Sequence, residues 1–197
     1  MTTVFIAGSI TIKHLDFLVQ ERIMNIVDRN FKVIVGDADG VDTSIQQFLQ
    51  EQNYPNVTVF CTGDTPRNNV GNWAVHQVKT YHKPGSRAFY TAKDLAMAEA
   101  ADSGLMIWDT KSTGTLSNVI ELLSRKKFCW AFINKLKTFH AVKNVGALEG
   151  LLDHMPPPAR LKADTKIGLT EKLSALRSRE QQMALLAERT EAGLAHA

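Results

Sequence analysis

Several features that mark secreted, metal-binding and membrane proteins are missing from this chain of 197 residues. It has only two cysteines and no zinc-type spacing of Cys and His, and no apolar run reaches the about 18 residues that a membrane-spanning helix needs. The first residues, MTTVFIAGSI, carry no basic segment and no cleavage site, so we expect no signal peptide. We therefore expect a cytoplasmic protein that has no membrane partner and needs neither a metal nor a cofactor.

An excess of one charge is also missing, because 23 Lys and Arg oppose 20 Asp and Glu and leave a formal net charge of +3. A charge this small does not by itself indicate a nucleic-acid partner. Cys61 and Cys129 lie in apolar runs that are typical of strands. Their surroundings favour buried, reduced thiols over the alternative, a disulfide or redox pair.

What the first two thirds of the chain do contain is a regular alternation of short apolar runs and helical patterns. The predicted helices cover residues 14–29, 41–52, 92–101 and 115–126, and the predicted strands are Val4–Ile10, Lys32–Val35, Val57–Cys61, Leu105–Trp108 and Phe128–Ile133. Such an alternation is typical of a parallel sheet that is covered by helices on both faces. We predict an α/β fold in which residues 1–134 form a Rossmann-like, doubly wound, five-stranded parallel sheet.

The last third, residues 135–197, shows no further clear strand, and we predict a helical C-terminal extension there. Thr170 is predicted to be the N-cap of a helix, with Glu171 in its first turn. Apolar residues then recur at mostly helical spacing as far as Leu194. This stripe has two interpretations, a helix that packs on its own domain or a dimerisation helix in a homo-oligomer.

The run WDTKSTGTLSN, residues 108–118, follows a predicted strand and opens a predicted helix. Free backbone N–H groups and the helix dipole make such a position attractive to anions. Ligands of open α/β sheets bind where the strand order reverses, and in a 3-2-1-4-5 order that point lies beside this run and beside Gly8 and Ser9. Helix capping alone is the alternative, but the position favours phosphate binding, although the run is not a P-loop. The run supplies the candidate phosphate ligands Ser112, Thr113, Gly114 and Thr115.

Two further stretches start at the same predicted edge of the sheet. The run GDADGVD, residues 36–42, is either a turn with a helix cap or a set of carboxylates that face a ribose or a glycosidic bond. The segment 64–93 has a single acid, Asp64, and interleaved cations and aromatic rings that can pair with phosphate and stack on a base, unless it is only a solvated connection. Its cations are Arg67, Lys79, Lys83, Arg87 and Lys93, and its aromatic residues include Trp73, Tyr81, Phe89 and Tyr90.

The runs FIAGSI, GDADGVD, AKDLAMAEAAD and STGT succeed one another as in the SLOG superfamily, which the chain resembles over about residues 3–134. That superfamily includes the Lonely Guy cytokinin-activating phosphoribohydrolases and the Rossmann domain of DNA-processing protein A. The resemblance is greatest to its small bacterial and phage branch of nucleotide-binding proteins. It implies a Rossmann-like domain that binds a nucleotide or a nucleotide-derived ligand.

The resemblance also shows where this chain departs from the Lonely Guy pattern. Their Arg-Lys-x-x-Met motif corresponds to residues 93–97, which puts Lys93 at the position of the catalytic arginine. Their phosphate loop, Pro-Gly-Gly-x-Gly-Thr-x-x-Glu, corresponds to a run that ends at residues 114–118, which puts Asn118 at the position of the catalytic glutamate. An amide cannot stabilise an oxocarbenium-like transition state as a carboxylate does, and the similar nucleoside deoxyribosyltransferases meet the same objection. Cleavage would need another carboxylate, and the candidates are Asp37, Asp42 and Asp94.

Three functions stay open at this stage. The chain is an N-glycosidase that acts on a nucleotide (a nucleoside 5′-phosphate hydrolase or a deoxyribosyltransferase-like enzyme), a non-catalytic sensor or sequestering module for a nucleotide or an NAD-derived signal, or a nucleic-acid-binding protein. The third is least supported, since residues 150–197 balance seven Lys and Arg against six Asp and Glu. Besides residues 112–115, Lys93 and Arg87 are expected to bind phosphate. The other expected ligand-binding residues are Gly8, Ser9, Gly36, Asp109 and Asn118.

Overall fold

Seven strands form one sheet in the computed structural model, which describes residues 1–194 and the side chains of residues 1–187. The strands are β1 (Thr3–Gly8), β2 (Lys32–Gly36), β3 (Val57–Thr62), β4 (Ala74–Val78), β5 (Ser103–Trp108), β6 (Phe128–Ile133) and β7 (Thr138–Val142). The helices are α1 (Phe17–Asp28), α2 (Val41–Glu51), α3 (Arg87–Ala100), α4 (Thr113–Ser124), α5 (Val145–Leu152), α6 (Pro157–Ile167) and α7 (Leu169–Leu194). The strand order across the sheet is β4-β3-β2-β1-β5-β6-β7.

This order confirms the α/β class and the predicted relative order of the five apolar strands. Every neighbouring pair is parallel except β6 and β7, which pair antiparallel. The order reverses between β1 and β5, so the two loops that follow these strands flank the switch point of the sheet.

The predicted count of five strands is wrong, because the sheet has seven. β4 lies within the segment 64–93, for which the sequence predicts no strand, and β7 lies within the predicted helical extension. Both are edge strands, and four of the five residues of β4 are exposed, so neither has the continuous apolar run that marks the central strands. Helix α3 also begins earlier than predicted, at Arg87, where the Ser86 hydroxyl accepts a hydrogen bond from the backbone N–H of Phe89.

Helix α7 starts at Leu169, so Thr170 is not its N-cap as predicted. The capping role belongs to Asp164, whose carboxylate accepts a hydrogen bond of 2.8 Å from the Thr170 backbone N–H. Leu173 and Leu176, further along α7, are buried in the same core as β5 and β6. The interpretation that this helix packs on its own domain is confirmed for its first two turns, and pairing with a second copy remains a prediction.

The core has two parts, one on each face of the sheet. Helices α1 and α2 pack on one face, and helices α3 to α7 contribute to the core on the other. Cys61 and Cys129 are buried free thiols, as predicted. In the part of the chain that the structure describes, no helix is long and apolar enough to cross a membrane.

Candidate functional site

A cavity of about 300 Å³ opens at the carboxyl ends of β1 and β2, beside α3 and α4. This volume is at the small end of the range for ligand sites in proteins. Among the residues singled out in the sequence, those that line the cavity are Gly8, Asp42, Arg67, Tyr90, Lys93, Asp94, Ser112, Gly114, Thr115 and Asn118. The strand order therefore brings the loop after β5 and the acidic run after β2 to one cavity.

The Lys93 ammonium lies at the centre of the three candidate catalytic carboxylates. Its Nζ atom is 3.1 Å from Asp94 Oδ1, 3.7 Å from Asp37 Oδ1 and 3.9 Å from Asp42 Oδ2. Burial lowers the pKa of Lys93, but the three carboxylates outweigh burial and raise it above its ordinary value. Lys93 is therefore a charged group whose partners are already present in the protein. We refer to these four residues as the carboxylate cluster.

Asp37 is held by a residue that sequence reasoning left out of the site, Arg67. The Asp37 carboxylate accepts hydrogen bonds from the backbone N–H, Nε and Nη2 of Arg67 at 3.0, 3.1 and 2.6 Å. Burial raises the pKa of Asp37, but these hydrogen bonds and the charge of Lys93 outweigh it, so the pKa lies below its ordinary value. The guanidinium of Arg67 also lies 4.6 Å over the Tyr90 ring, and both side chains line the cavity. The only sequence signal for Arg67 was its place in a cation-rich segment that starts at this edge.

The pKa of Asp42, in the first turn of α2, is shifted in the opposite direction to that of Asp37. Burial raises the pKa of Asp42 to about 6, although Lys93 lowers it, and Asp94 adds to the rise. Its Oδ2 atom accepts one hydrogen bond of 3.3 Å from the backbone N–H of Ala38. Two carboxyl groups of the cluster, Asp37 and Asp42, therefore differ in proton affinity because their surroundings differ.

Gly36, expected to contact a ligand, lies behind the cavity wall instead. A Cβ atom at this position would lie 2.3 Å from Asp42 Oδ2 and 2.4 Å from Lys93 Nζ, closer than any side-chain carbon can approach. Glycine at the end of β2 thus leaves the space in which the carboxylate cluster assembles.

Asp109 and Ser9 also lie outside the residues that line the cavity, and they shape the loop after β5. Asp109 Oδ1 accepts hydrogen bonds from the backbone N–H groups of Lys111 and Ser112 at 2.9 and 2.6 Å. Its Oδ2 atom accepts one of 2.7 Å from the Thr11 hydroxyl, and its own N–H donates to Ser9 Oγ at 3.0 Å. Burial raises the pKa of Asp109, but these hydrogen bonds outweigh burial and hold the pKa below its ordinary value. The loop is therefore fixed before any ligand arrives.

Helix α4 presents its first turn to the cavity. Ser112 is its N-cap, and the Ser112 hydroxyl accepts hydrogen bonds from the backbone N–H and the hydroxyl of Thr115 at 3.3 and 3.0 Å. Within the described residues, the backbone N–H groups of Thr113 and Gly114 have no acceptor. A Cβ atom on Gly114 would find no heavy atom closer than 3.9 Å, so the backbone faces open space there. Thr113 and Arg87 do not line the cavity.

Asn118 follows one turn later on α4 and has a polar group without a partner. Its side chain is 7% exposed and lines the cavity. Among the described residues, no group forms a hydrogen bond with its amide. The Thr62 hydroxyl is the single fully buried polar side-chain atom without a partner among the described residues, so the Asn118 amide is open to the cavity rather than sealed in the core. The amide therefore offers a hydrogen-bond donor and an acceptor to a water or a ligand in the cavity.

The cavity has two chemically different ends. One is the first turn of α4, with free N–H groups and the positive end of the helix dipole. The other is the carboxylate cluster, in which three carboxylates face the ammonium of Lys93 and, at Asp37, the guanidinium of Arg67. Among the side chains of residues 1–187, no group of three or more His, Cys, Asp or Glu is placed to hold a metal ion.

Compared with known proteins, the chain matches no family model, no curated protein and no solved structure. The function of the chain is therefore inferred from the chemistry of the cavity.

Proposed function

We propose that the chain binds a nucleotide or a nucleotide-derived ligand in this cavity, with a phosphate at the first turn of α4 and the ribose toward Asp42 and Asp94. The observation that carries the proposal is the group of unused polar atoms on α4. The N–H of Gly114 and the amide of Asn118 lack partners among the described residues, and both residues line the same cavity. This is a site for a ligand that both accepts and donates hydrogen bonds.

The phosphate end is supported by α4 rather than by Lys93. The ammonium of Lys93 has three carboxylate neighbours within 4 Å, so little of its charge is left for an anion. Free N–H groups and the helix dipole remain, and they bind phosphate without a dedicated cation. Gly114 lets a phosphate approach the backbone because nothing occupies the space where a side chain would lie.

The sugar end is supported by the carboxylate cluster. Ionised carboxylates only accept hydrogen bonds, and ribose hydroxyls are donors that match them. A second phosphate at this end would meet like charge at close range. The ligand therefore has one orientation, with its anionic end at α4.

Calorimetry and thermal shift with nucleoside mono-, di- and triphosphates and NAD test the proposal. Binding to the native state alone stabilises it, by about 2.7 kcal/mol at a ligand concentration of 100 Kd. Gly114→Asp should abolish binding without loss of stability, because an acid in the first turn favours the helix but repels phosphate. Gly114→Ala, which adds no charge and meets open space, is the matched control and should keep binding. No response to any nucleotide, or equal binding by Gly114→Asp, would refute the proposal.

A second candidate function is cleavage of the N-glycosidic bond of the bound nucleotide, and the proton affinity of Asp42 favours it. A carboxyl with a pKa of about 6 is partly protonated near neutral pH and can donate that proton to the leaving base, while a water molecule bonds to the sugar carbon in place of the base. Asp94, 24% exposed on the cavity wall, is then the carboxylate that stabilises the developing positive charge on the sugar. Incubation with nucleoside 5′-monophosphates should release free base, and Asp42→Asn should abolish the release. A sample that binds nucleotide but releases no base is a binding module.

A further inference from the structure

A second cavity, of about 320 Å³, lies at the opposite edge of the sheet from the carboxylate cluster. Its walls include the amino-terminal ends of β1, β5 and β6 and one side of α1. Neither the sequence motifs nor the proposed nucleotide site involve it. We refer to it as the amino-edge cavity.

The guanidinium of Arg22, on α1, lies against two aromatic rings beside this cavity. Its central carbon lies 4.7 Å from the centre of the Trp130 ring and 4.6 Å from that of Phe139. Among the described residues, no hydrogen bond or ion pair engages this guanidinium. A guanidinium holds its N–H donors in one plane, where two of them can bind a carboxylate or a phosphate together. The ring contacts position Arg22, and its N–H donors stay available to an anion.

The charged side chains that line the amino-edge cavity are all positive. Arg29 lines it as well, and its guanidinium has no ion pair within the described part of the chain. No Asp or Glu is among the residues that line it. The wall therefore attracts anions and offers no internal carboxylate to compete with them.

Aromatic rings supply a further part of the cavity surface. Phe31, Phe128 and Trp130 line the cavity, and Phe128 is 36% exposed. The rings of Phe128 and Trp130 meet edge to face, with their centres 5.3 Å apart. Such a surface favours a planar ring, which can stack or pack edge-on against it. The volume admits a molecule of one or two rings and excludes a folded partner.

We propose that the amino-edge cavity binds a small aromatic anion, in which a carboxylate or phosphate group is joined to a planar ring. Arg22 holds the anionic group, Arg29 adds to the field that attracts it, and Phe128 and Trp130 contact the ring. This site is independent of the nucleotide site, since the two cavities have no lining residue in common.

Titration with 2-naphthoate and with phenyl phosphate, followed by calorimetry and saturation-transfer NMR at low salt, tests the proposal. Two further probes each lack one feature: neutral 2-naphthamide lacks the charge, and inorganic phosphate lacks the ring. Both probes should bind at least about tenfold more weakly than the complete aromatic anion. The amide lacks charge-assisted hydrogen bonds, which are about twice as strong as neutral ones, and inorganic phosphate lacks the ring. Comparison of the two anions shows whether the site prefers carboxylate or phosphate.

Four variants locate the binding. Arg22→Gln should weaken 2-naphthoate binding about tenfold, and Arg22→Lys should weaken it as well because an ammonium lacks the planar fork. Arg125→Gln is the matched control, because it removes an arginine at the C-cap of α4 that pairs with Glu121 and does not line the cavity. Gly114→Asp should also leave 2-naphthoate binding unchanged.

Unchanged affinity in Arg22→Gln, equal binding of the neutral amide, or loss of binding in Gly114→Asp would overturn the proposal. Should Arg22→Gln fold poorly, Phe128→Ala gives a second route, because it removes an exposed ring and leaves Arg22 in place. Phe128→Ala should weaken binding of the aromatic anions and leave that of inorganic phosphate unaltered.

Discussion

A Cβ atom on Gly36 would lie 2.4 Å from the Nζ atom of Lys93, so the absence of a side chain at the end of β2 makes room for the buried ammonium. Gly36→Ala should force Lys93 or Asp42 out of position and destabilise the fold by about 1–3 kcal/mol, the range for overpacked interiors. Urea denaturation measures the change. Gly114→Ala, at a position with open space, should not destabilise the chain, and an equal loss in both variants would contradict this explanation.

Asp42 should make stability fall with rising pH. Its folded pKa of about 6 lies above its ordinary value of 3.8, so the native state binds the proton more tightly than the unfolded state does. The contribution of Asp42 is fully present below about pH 4 and is lost as the pH rises through 6. Asp37 and Asp109, with lowered pKa values, contribute in the opposite direction, and their stabilisation is lost as the pH falls below their ordinary range.

Asp42→Asn isolates this contribution. The unfolding free energy of the variant, relative to the native chain, should rise by about 1–3 kcal/mol between pH 4 and pH 7.5. Denaturation curves at several pH values give the difference, and the slope against pH is the quantity of interest because the substitution also alters contacts at every pH. A difference that stays constant with pH would show that Asp42 does not titrate in this range.

The central strands could be predicted because each is a continuous apolar run, and burial on both faces demands such a run. β4 could not, because its residues are largely exposed and its ladder depends on β3. The side chain of Gln46 accepts a hydrogen bond from the backbone N–H of Val70 and so fastens the segment before β4 to α2. A contact of this kind joins distant parts of the chain and leaves no local pattern.

The edge of the sheet that holds the site could be predicted from the sequence, but the side chains that line it could not. Strand order brings residues 36–42, 93–94 and 112–118 together, as expected, but it does not say which side chains face the cavity. Asp109 accepts hydrogen bonds from its own loop and does not line the cavity. Arg67 lines the cavity because the segment after β3 folds back onto Asp37. Both outcomes depend on tertiary hydrogen bonds rather than on the spacing of motifs.

Lys93 should be among the most sensitive positions in the chain. Replacing it with Gln leaves three neighbouring carboxylates without their shared cation, and loss of one partner of a buried ion pair destabilises by about 3–5 kcal/mol. Thermal and urea unfolding should show this loss at pH 7 and partial recovery in acid, where the carboxylates are protonated. Lys111→Gln, an exposed position in the loop after β5, should change stability by less than about 0.5 kcal/mol. Equal effects of the two variants would mean that the cluster adds nothing to the fold.

Arg67 and Arg87 provide a direct contrast for ligand binding. Arg67 lines the cavity, whereas Arg87 is exposed at the start of α3 and does not. Arg67→Gln should weaken nucleotide binding several-fold, because Asp37 loses the two hydrogen bonds from the guanidinium and Tyr90 loses the cation above its ring. Arg87→Gln should leave the affinity within about twofold, as expected for an exposed charge outside the site. Calorimetry on both variants decides, and a larger effect at Arg87 would favour a ligand that lies outside the cavity.

Asn118 should show stability and binding moving in opposite directions. Asn118→Leu has similar volume and replaces an amide that has no partner among the described residues with apolar carbon at a position that is 7% exposed, so the unfolding free energy should rise by about 1 kcal/mol. Nucleotide affinity should fall in the same variant, since the amide is then absent from the cavity wall. Asn69→Leu is the matched control, because its amide exchanges hydrogen bonds of 3.0 and 2.8 Å with the backbone of Trp73, and its loss should destabilise. If Asn118→Leu proves less stable and binds nucleotide as before, then the amide serves the fold and the ligand contacts other groups.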